Sequence, residues 1–482
     1  MGAPYVLGRH TRVVVGTHPD SAVAAGARVI AQSLARLAGV PVPVVAEADG
    51  LPGVVEVRIT RDRSLLGLGP DHDDVRSLAA YRLEVSADSI VLTALGAPGL
   101  LNAFATLEQT AESAERAPAA FPPLLVQDVP RFGWRGLSVD VARHFFDVAA
   151  IKTVVDAMSS LKLNMLHLHL TDDQGWRVQL PSHPELTERS GSTAVGGDPG
   201  GYFTVEDLAE ITAYAQNRCI TVVPEIDLPG HVNAALHAVG ELTPSGEPTP
   251  EYTGIEVGFS RLHADVAATE PFLRDVIGDL AAMTPGPYVH IGGDEVLTMD
   301  IAEYSALVEM AAGYVRGAGK KVVGWQEVAK ANLGPDTIIQ FWSEPDGTED
   351  VIAAVQAGAR LLLSPGSKAY LDMKYDAATP VGLEWAGHIE LRDAYDWDPL
   401  AVIPGVPAER IIGIEAAIFS ETIRTVDDLF FLLLPRLAAI AEVAWSQPEH
   451  QDWDSFTARL RAVAPRWTQS GLTWHRSPQI QW

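Results

Sequence analysis

From residue 135 onward the chain repeats one pattern: a short run rich in Val, Ile and Leu, a polar loop, then a stretch with helical spacing. Strand candidates begin near Arg135, Asn164, Cys219, Tyr288, Lys321, Thr337, Arg360 and Arg410. Helical stretches such as 148–161, 204–218 and 271–283 fall between them. Eight strands in such an alternation predict a (β/α)8 TIM barrel in the α/β class. A doubly wound open sheet is the competitor, but it rarely runs to eight parallel strands in one domain.

At 482 residues the chain is too long for one ordinary domain, so a barrel with an appendage is expected. Residues 1–125 read as that appendage, a small α/β domain. TRVVVGT has a strand pattern, 21–38 is rich in Ala, Leu and Ile at helical spacing, and VVEVRIT follows. YRLEVS and SIVLTAL then form a hairpin around Ala87-Asp88, and a helix from about Gly99 to Glu115 closes the unit. PPLLVQDVPRFGWRG supplies a linker at 126–134, and the barrel is expected over 135–482.

In a TIM barrel, chemistry sits where strands end and βα loops begin. The eight predicted strands end, in order, on Arg143; on Asp172 and Asp173; on Glu225, Asp227 and His231; and on Asp294 and Glu295. The fifth and sixth end on Trp325 and Trp342. A long loop with Tyr370 and Asp372 follows the seventh, and Phe419 and Glu421 close the eighth. Singly, each has an ordinary structural reading: a solvated arginine, a capping aspartate, a core histidine, a core tryptophan. Their convergence on one predicted face is what argues for a site.

Carboxylates mixed with aromatics, without a phosphate-binding glycine loop or a nucleophilic Ser or Cys motif, suit carbohydrate chemistry. Carboxylates and guanidinium groups pair with sugar hydroxyls, and aromatic rings cover sugar C–H faces. Asp294 and Glu295 are adjacent, with Cα atoms about 3.8 Å apart. Neighbours so close do not easily reach opposite faces of one sugar ring, as an acid and a nucleophile normally do. If Glu295 protonates the leaving oxygen, a 2-acetamido group on the substrate can supply the nucleophile.

HIGGDE, with DVARHFF, HLHLTDDQGWR and VVPEIDLPGH before it and VVGWQE after it, resembles family 20 glycoside hydrolases, the β-N-acetylhexosaminidases. The likeness spans residues 134–482, and the first 125 resemble the small domain that precedes the barrel there. Enzymes of that family depart from the two-carboxylate scheme, because the substrate itself takes the nucleophile's place. The resemblance implies an exo-acting, retaining enzyme that releases terminal β-linked N-acetylglucosamine or N-acetylgalactosamine through an oxazolinium intermediate. It implies Glu295 as general acid and base, Asp294 as the partner of the acetamido N–H, and Tyr370 as donor to the acetamido oxygen. Trp325 and Trp342 would wall the acetamido pocket. Arg143, Asp372 and Glu421 would bind ring hydroxyls. Asp172, His231 and Asp227 would orient the Asp294–Glu295 pair. Trp385, in GLEWAG, either edges the leaving-sugar side or packs its loop. No metal or cofactor is expected. One position departs from the family pattern: Phe419 stands where tryptophan is usual, with less ring area and no indole N–H.

Two other readings use the same residues. Asp172, Glu225, Asp227, Asp294 and Glu295 could form an oxygen-rich Mg²⁺ site, but Tyr370 and the tryptophans have no place in it. A non-catalytic sugar-binding protein would have no need of the Asp294–Glu295 pair.

A net charge of −27 disfavours nucleic acid and anionic membrane surfaces as partners. No apolar run has the length of a transmembrane helix. The opening MGAPYVLGRHTRVVVG has neither the basic nor the apolar stretch of a signal peptide, which fits a chain retained in the cell or one whose leader has been removed. The single cysteine, Cys219, excludes an internal disulfide and reads as a buried, inert thiol.

Overall fold

All eight expected barrel strands form, each starting within two residues of its expected position. They are β1 (Trp134–Asp140), β2 (Met165–His169), β3 (Thr221–Glu225), β4 (Tyr288–His290), β5 (Lys321–Trp325), β6 (Ile338–Phe341), β7 (Arg360–Leu363) and β8 (Ile411–Ile418). Neighbours pair in parallel in chain order, and β8 returns to β1 through Gly413↔Trp134 to Ile418↔Val139, closing the barrel. The computed structural model describes residues 2–47, 52–69, 72–111, 119–344 and 347–482.

Strand alternation sorts the side chains. On β2, Leu166 and Leu168 join the apolar layer between strands and helices. Met165 instead joins Trp134, Val223, Val323, Ile338 and Leu362 in a separate apolar plug. Above the plug the alternate positions turn polar: His167 and His169 on β2, Glu225 on β3, Gln340 on β6 and Glu415 on β8, all essentially buried. Burial of such groups is tolerable only when they find partners: Gln340 Nε2 donates to Glu415 Oε1 at 3.0 Å, His167 Nδ1 lies 2.9 Å from that same oxygen, and His169 Nδ1 lies 2.6 Å from Glu225 Oε2.

The first two crossover helices begin on side-chain caps. Asp147 accepts from Ala150 N–H ahead of Val148–Ser160, and Thr204 forms a reciprocal box with Asp207 ahead of Val205–Gln216. Both helices match the sequence expectation to within two residues at either end.

The N-terminal part is a six-stranded mixed sheet in the order Val44–Val45, Arg12–Val14, Val54–Ile59, Ser89–Ala94, Tyr81–Val85, Leu124–Asp128. Helices Ser21–Ala38 and Ala97–Gln109 contribute to its core. The expected hairpin is present, pairing Tyr81 with Ala94 and Val85 with Ile90. The second helix ends at Gln109; Glu115, its expected end, lies outside the described residues. The segment expected to be a linker contributes a strand, Leu124–Asp128, antiparallel to Tyr81–Val85. Flanking prolines at 122, 123 and 130 hide this edge strand from a propensity reading. Trp445 Nε1 donates to Asp128 Oδ2 at 2.9 Å, tying the sheet to a helix of the barrel. Cys219 is half-buried rather than buried, at a left-handed φ of 56° against this N-terminal core. Burial pushes its thiol up to about 12, so it stays protonated.

The long loop after β7 is held by a buried cation. Arg436 donates to the carbonyls of Leu371 (2.6 Å), Met373 (2.7 Å), Ile389 (2.8 Å) and Leu432 (2.9 Å), and lies 3.8 Å over the Tyr375 ring. No shorter side chain reaches all four. Arg436→Met should therefore destabilise the protein by on the order of 3 kcal/mol, through orphaned carbonyls and a lost charge-assisted network. A denaturant midpoint unchanged in that variant would show that the loop holds itself.

Candidate active site

The loops leaving the C-terminal ends of the strands bring the predicted residues to one mouth. After β4 the chain passes through Gly292 (φ 66°) and Gly293 (φ 109°) before Asp294. A Cβ on Gly292 would fall 1.7 Å from Asp227 Oδ1, so the backbone can pass only as glycine. Gly293 N–H donates to that same oxygen at 3.0 Å. Glu295 has a φ of 50° and His231 of 53°, left-handed conformations that are costly without glycine and that cluster at functional sites.

Asp294 and Glu295 approach the same imidazole. His231 Nε2 lies 3.6 Å from Asp294 Oδ2 and 3.4 Å from Glu295 Oε2. The side chains differ in access: 16% exposed for Asp294 and 30% for Glu295. Burial, with the Asp227 charge beside it, raises the Asp294 carboxyl well above the ordinary aspartate range. The other face of His231 meets Asp172, Nδ1 to Oδ1 at 3.2 Å.

Asp172 Oδ2 receives Arg143 Nη2 at 2.8 Å and His169 Nε2 at 2.9 Å. Burial alone would raise this carboxyl, but Arg143 and His231 hold it well below its usual range. Burial likewise opposes charge on His231, His169 and Arg143. The carboxylates around them prevail, Asp172 against His231 and Arg143 and Glu225 against His169, and keep all three protonated. Asp227 is pushed up to about 7 by burial and by Glu225.

The aromatic residues form one cluster. Tyr370 stacks on Phe419 (ring centroids 5.5 Å apart) and on Trp342 (6.1 Å), and meets Trp385 edge-on at 5.2 Å. Trp325 lies 6.2 Å from Phe419 and is wholly buried, whereas Trp385 is 53% exposed at the rim. Phe419 is packed against His169 as well, with the Arg143 guanidinium 5.4 Å from its ring centre.

Asp372 Oδ1 accepts Phe419 N–H at 3.2 Å, and Leu371 N–H donates to Ala417 O at 2.7 Å, so the β7 loop is stitched to the end of β8. Asp372 Oδ2, Glu421 Oε2, Asp294 Oδ1 and Arg143 Nε are buried without a hydrogen-bond partner among the described residues. Groups of this kind normally find one, and hydroxyl and amide groups of a ligand would satisfy both the acceptors and the donor.

Several carboxylates and imidazoles lie close enough to hold a metal ion: His169, Asp172 and Asp227; Asp172, Asp173 and His231; and Asp227, His231 and Asp294. A guanidinium 2.8 Å from Asp172 and two protonated imidazoles on it make a poor setting for a second cation. Five of the surrounding groups were missed from the sequence: His167, His169, Glu415, Asp140 and Glu327. The HLHL alternation was the available signal for the two histidines. Trp342 Nε1 donates to Glu327 Oε2 at 3.2 Å, and burial and Asp294 push Glu327 up to about 7. A cavity of about 600 Å³ lies elsewhere, between the N-terminal sheet and the last helices, lined by Tyr81, Lys162, Trp445 and Arg459.

A barrel whose strand ends gather carboxylates, protonated imidazoles and sugar-sized aromatic surfaces is the scaffold of a glycoside hydrolase. Residues 132–312 and 299–448 match the catalytic domain of glycosyl hydrolase family 20. The chain is 56% identical over its full length to a beta-N-acetylhexosaminidase of Cellulomonas fimi, covering 94% of that protein. It superposes with a TM-score of 0.91 on the family 20 beta-N-acetylhexosaminidase of Streptomyces coelicolor A3(2), at 40% identity, covering 100% of this chain and 96% of that one. The same score and identity hold for a mutant Streptomyces plicatus beta-hexosaminidase in complex with its product GlcNAc, with 100% and 95% covered. The chain belongs to glycosyl hydrolase family 20. Among the described residues, no helix is long and apolar enough to cross a membrane.

The Asp372 carboxyl yields a pH prediction. Burial, then repulsion from Glu421, raises it from 3.8 to about 8. A raised folded-state value means that protonation favours the native state. The group's contribution is full below its ordinary value, declines as pH rises, and is gone above about 8. Asp372→Asn carries no charge at any pH, so its melting temperature should fall less than that of wild type between about pH 5 and 8. Asp227 and Glu327 act in the same direction, so the slope shrinks without vanishing. Parallel melting curves for the two proteins across that range would show that Asp372 ionises freely in the fold.

Proposed function

We propose that this enzyme removes terminal β-linked N-acetylhexosamine from the non-reducing end of glycans, with the substrate's own acetamido group as nucleophile. The supporting observation is that Asp294 and Glu295 share one imidazole, so both carboxyls work from the same side. In the first step the acetamido oxygen attacks C1 while the glycosidic C1–O bond breaks, and the leaving oxygen takes its proton from Glu295. Asp294 holds the acetamido N–H and balances the positive charge that develops on the oxazolinium. Tyr370 donates its hydroxyl to the acetamido oxygen, and Trp325 and Trp342 enclose the methyl. In the second step Glu295, now ionised, takes a proton from water as the water attacks C1 and the C1–O(acyl) bond breaks, restoring the acetamide.

The unpartnered atoms of Asp372, Glu421 and Arg143 suit the ring hydroxyls of one terminal sugar, and Phe419 supplies an apolar face beneath it. Trp385, exposed at the rim, faces the leaving side. Asp172, His231 and Asp227 hold the reacting pair without needing to touch the sugar. Burial disfavours the Asp294 carboxylate in the free pocket, so the positive charge of the intermediate is the partner that stabilises it.

A positioned proton donor contributes about 10²–10⁴-fold. Glu295→Gln should lose activity in that range on glycosides with poor leaving groups, and much less on activated aryl glycosides. A plain β-glucoside, lacking the acetamido group, should not turn over in the wild type. Near-normal rates for Glu295→Gln on both kinds of leaving group, or brisk hydrolysis of the glucoside, would overturn this mechanism. The measurement is steady-state kinetics on matched aryl and disaccharide substrates.

A further inference from the structure

Below the pocket, Glu225 is wholly buried and meets four ring nitrogens. His167 Nε2 lies at 2.9 Å, His169 Nδ1 at 2.6 Å, His290 Nδ1 at 2.9 Å and Trp325 Nε1 at 3.0 Å. His169 Nδ1 and Trp325 Nε1 are hydrogen-bonded to this carboxylate, while His290 Nδ1 accepts the Gly292 N–H at 3.0 Å. With 0% of its side chain exposed, Glu225 cannot reach a ligand itself.

Two arms lead from it to groups that can. The first is a single bond: Trp325 Nε1 donates to Glu225 Oε1 and so fixes the plane of the indole. The second runs through His169, whose Nε2 lies 2.9 Å from Asp172 Oδ2. Asp172 Oδ1 then meets His231 Nδ1 at 3.2 Å, and His231 Nε2 faces Glu295 and Asp294 at 3.4 and 3.6 Å. Arg143 joins this arm at Asp172 Oδ2.

On the function proposed above, we infer that Glu225 is a positioning residue for the reaction. From beneath the pocket it sets both the Trp325 wall of the acetamido site and the His169–Asp172–His231 arm that carries Asp294 and Glu295.

The arms can be cut separately because their donors differ. An indole N–H can only donate, whereas an imidazole nitrogen can also accept. In Glu225→Gln the amide oxygen therefore stays with Trp325, and the NH₂ turns toward His167 and His169. His169 Nδ1 must then accept instead of donate, so this imidazole becomes neutral. Glu225→Met keeps the volume but offers no acceptor to either arm.

The test is steady-state kinetics of wild type and both variants on N-acetyl- and N-propionyl-β-glucosaminides that share one poor leaving group, with folding checked by circular dichroism. Glu225→Gln should lower kcat about tenfold or more while keeping the acetyl-to-propionyl preference within about twofold of wild type, since small misplacements near reacting groups cost rate steeply. Glu225→Met should also lose most of that preference, because the freed indole lets the longer acyl chain enter. A purely structural role would lower both substrates alike and leave the preference intact in both variants. A folded Glu225→Gln with kcat within about twofold of wild type, or a folded Glu225→Met with unchanged preference, overturns the proposal. If Glu225→Met does not fold, Glu225→Leu, which likewise offers no acceptor, supplies the same comparison. A wild type that cleaves neither substrate would count against the proposed function rather than against Glu225.

Discussion

Positive and negative groups alternate through the barrel interior, and the site is built on that alternation. Glu415 meets His167 at 2.9 Å, His167 meets Glu225 at 2.9 Å, and Glu225 meets His169 at 2.6 Å. His169 meets Asp172, which meets His231 and Arg143, and His231 meets the Asp294–Glu295 pair. Burial opposes charge on His167, His169, His231, Asp172 and Glu225, and the opposite charges beside them reverse the outcome: His167 rises to about 9 and Glu225 falls well below the usual glutamate range. Such a chain contributes little to stability compared with an apolar core. Its consequence is geometric. His169 has both ring nitrogens hydrogen-bonded, to Glu225 and to Asp172, so it cannot rotate without leaving a buried charge unpaired.

The same logic separates two kinds of carboxyl. Those inside the chain, Asp172 and Glu225, are held ionised by imidazole and guanidinium neighbours. Those at its edge, Asp294, Asp372 and Asp227, have burial and like charges around them and are raised instead. A pocket lined by neutral carboxyls can donate to sugar hydroxyls as well as accept from them. Backbone and loop complete the arrangement. Gly292 lets the chain pass Asp227, Glu295 in its left-handed conformation shares the His231 ring with Asp294, and Arg436 pins the loop that brings in Tyr370 and Asp372.

The barrel was legible because its signals are local: each strand is an apolar run, and the helices between carry their own period and, as at Asp147 and Thr204, their own caps. The strand-end residues were legible for the same reason, as polar groups closing apolar runs. Glu225 illustrates the limit. VVPEID places it at the end of a strand, but nothing local says that it faces inward onto three histidines from β2 and β4. His167 and His169 could have been paired by their two-residue spacing. Their partners depend on barrel closure, which sequence spacing does not encode. Arg436 carries a signal, a lone cation within FFLLLPRLAAIAEVAW, but three of its four carbonyl partners (Leu371, Met373 and Ile389) come from a segment far away in the chain. The strand Leu124–Asp128 was hidden by its prolines, and the half-burial of Cys219 by a left-handed turn that its apolar neighbours do not announce.

The proposed chemistry stands on attack by the acetamido group from within the substrate, which inverts C1 once, followed by water, which inverts it again. Proton NMR of the first sugar released from a β-N-acetylglucosaminide, recorded before mutarotation, tests this most directly. Double inversion predicts that the β anomer appears first and the α anomer only as the free sugar equilibrates. An α anomer formed first would mean that water attacks C1 directly, and the roles given to Asp294 and Glu295 would not stand.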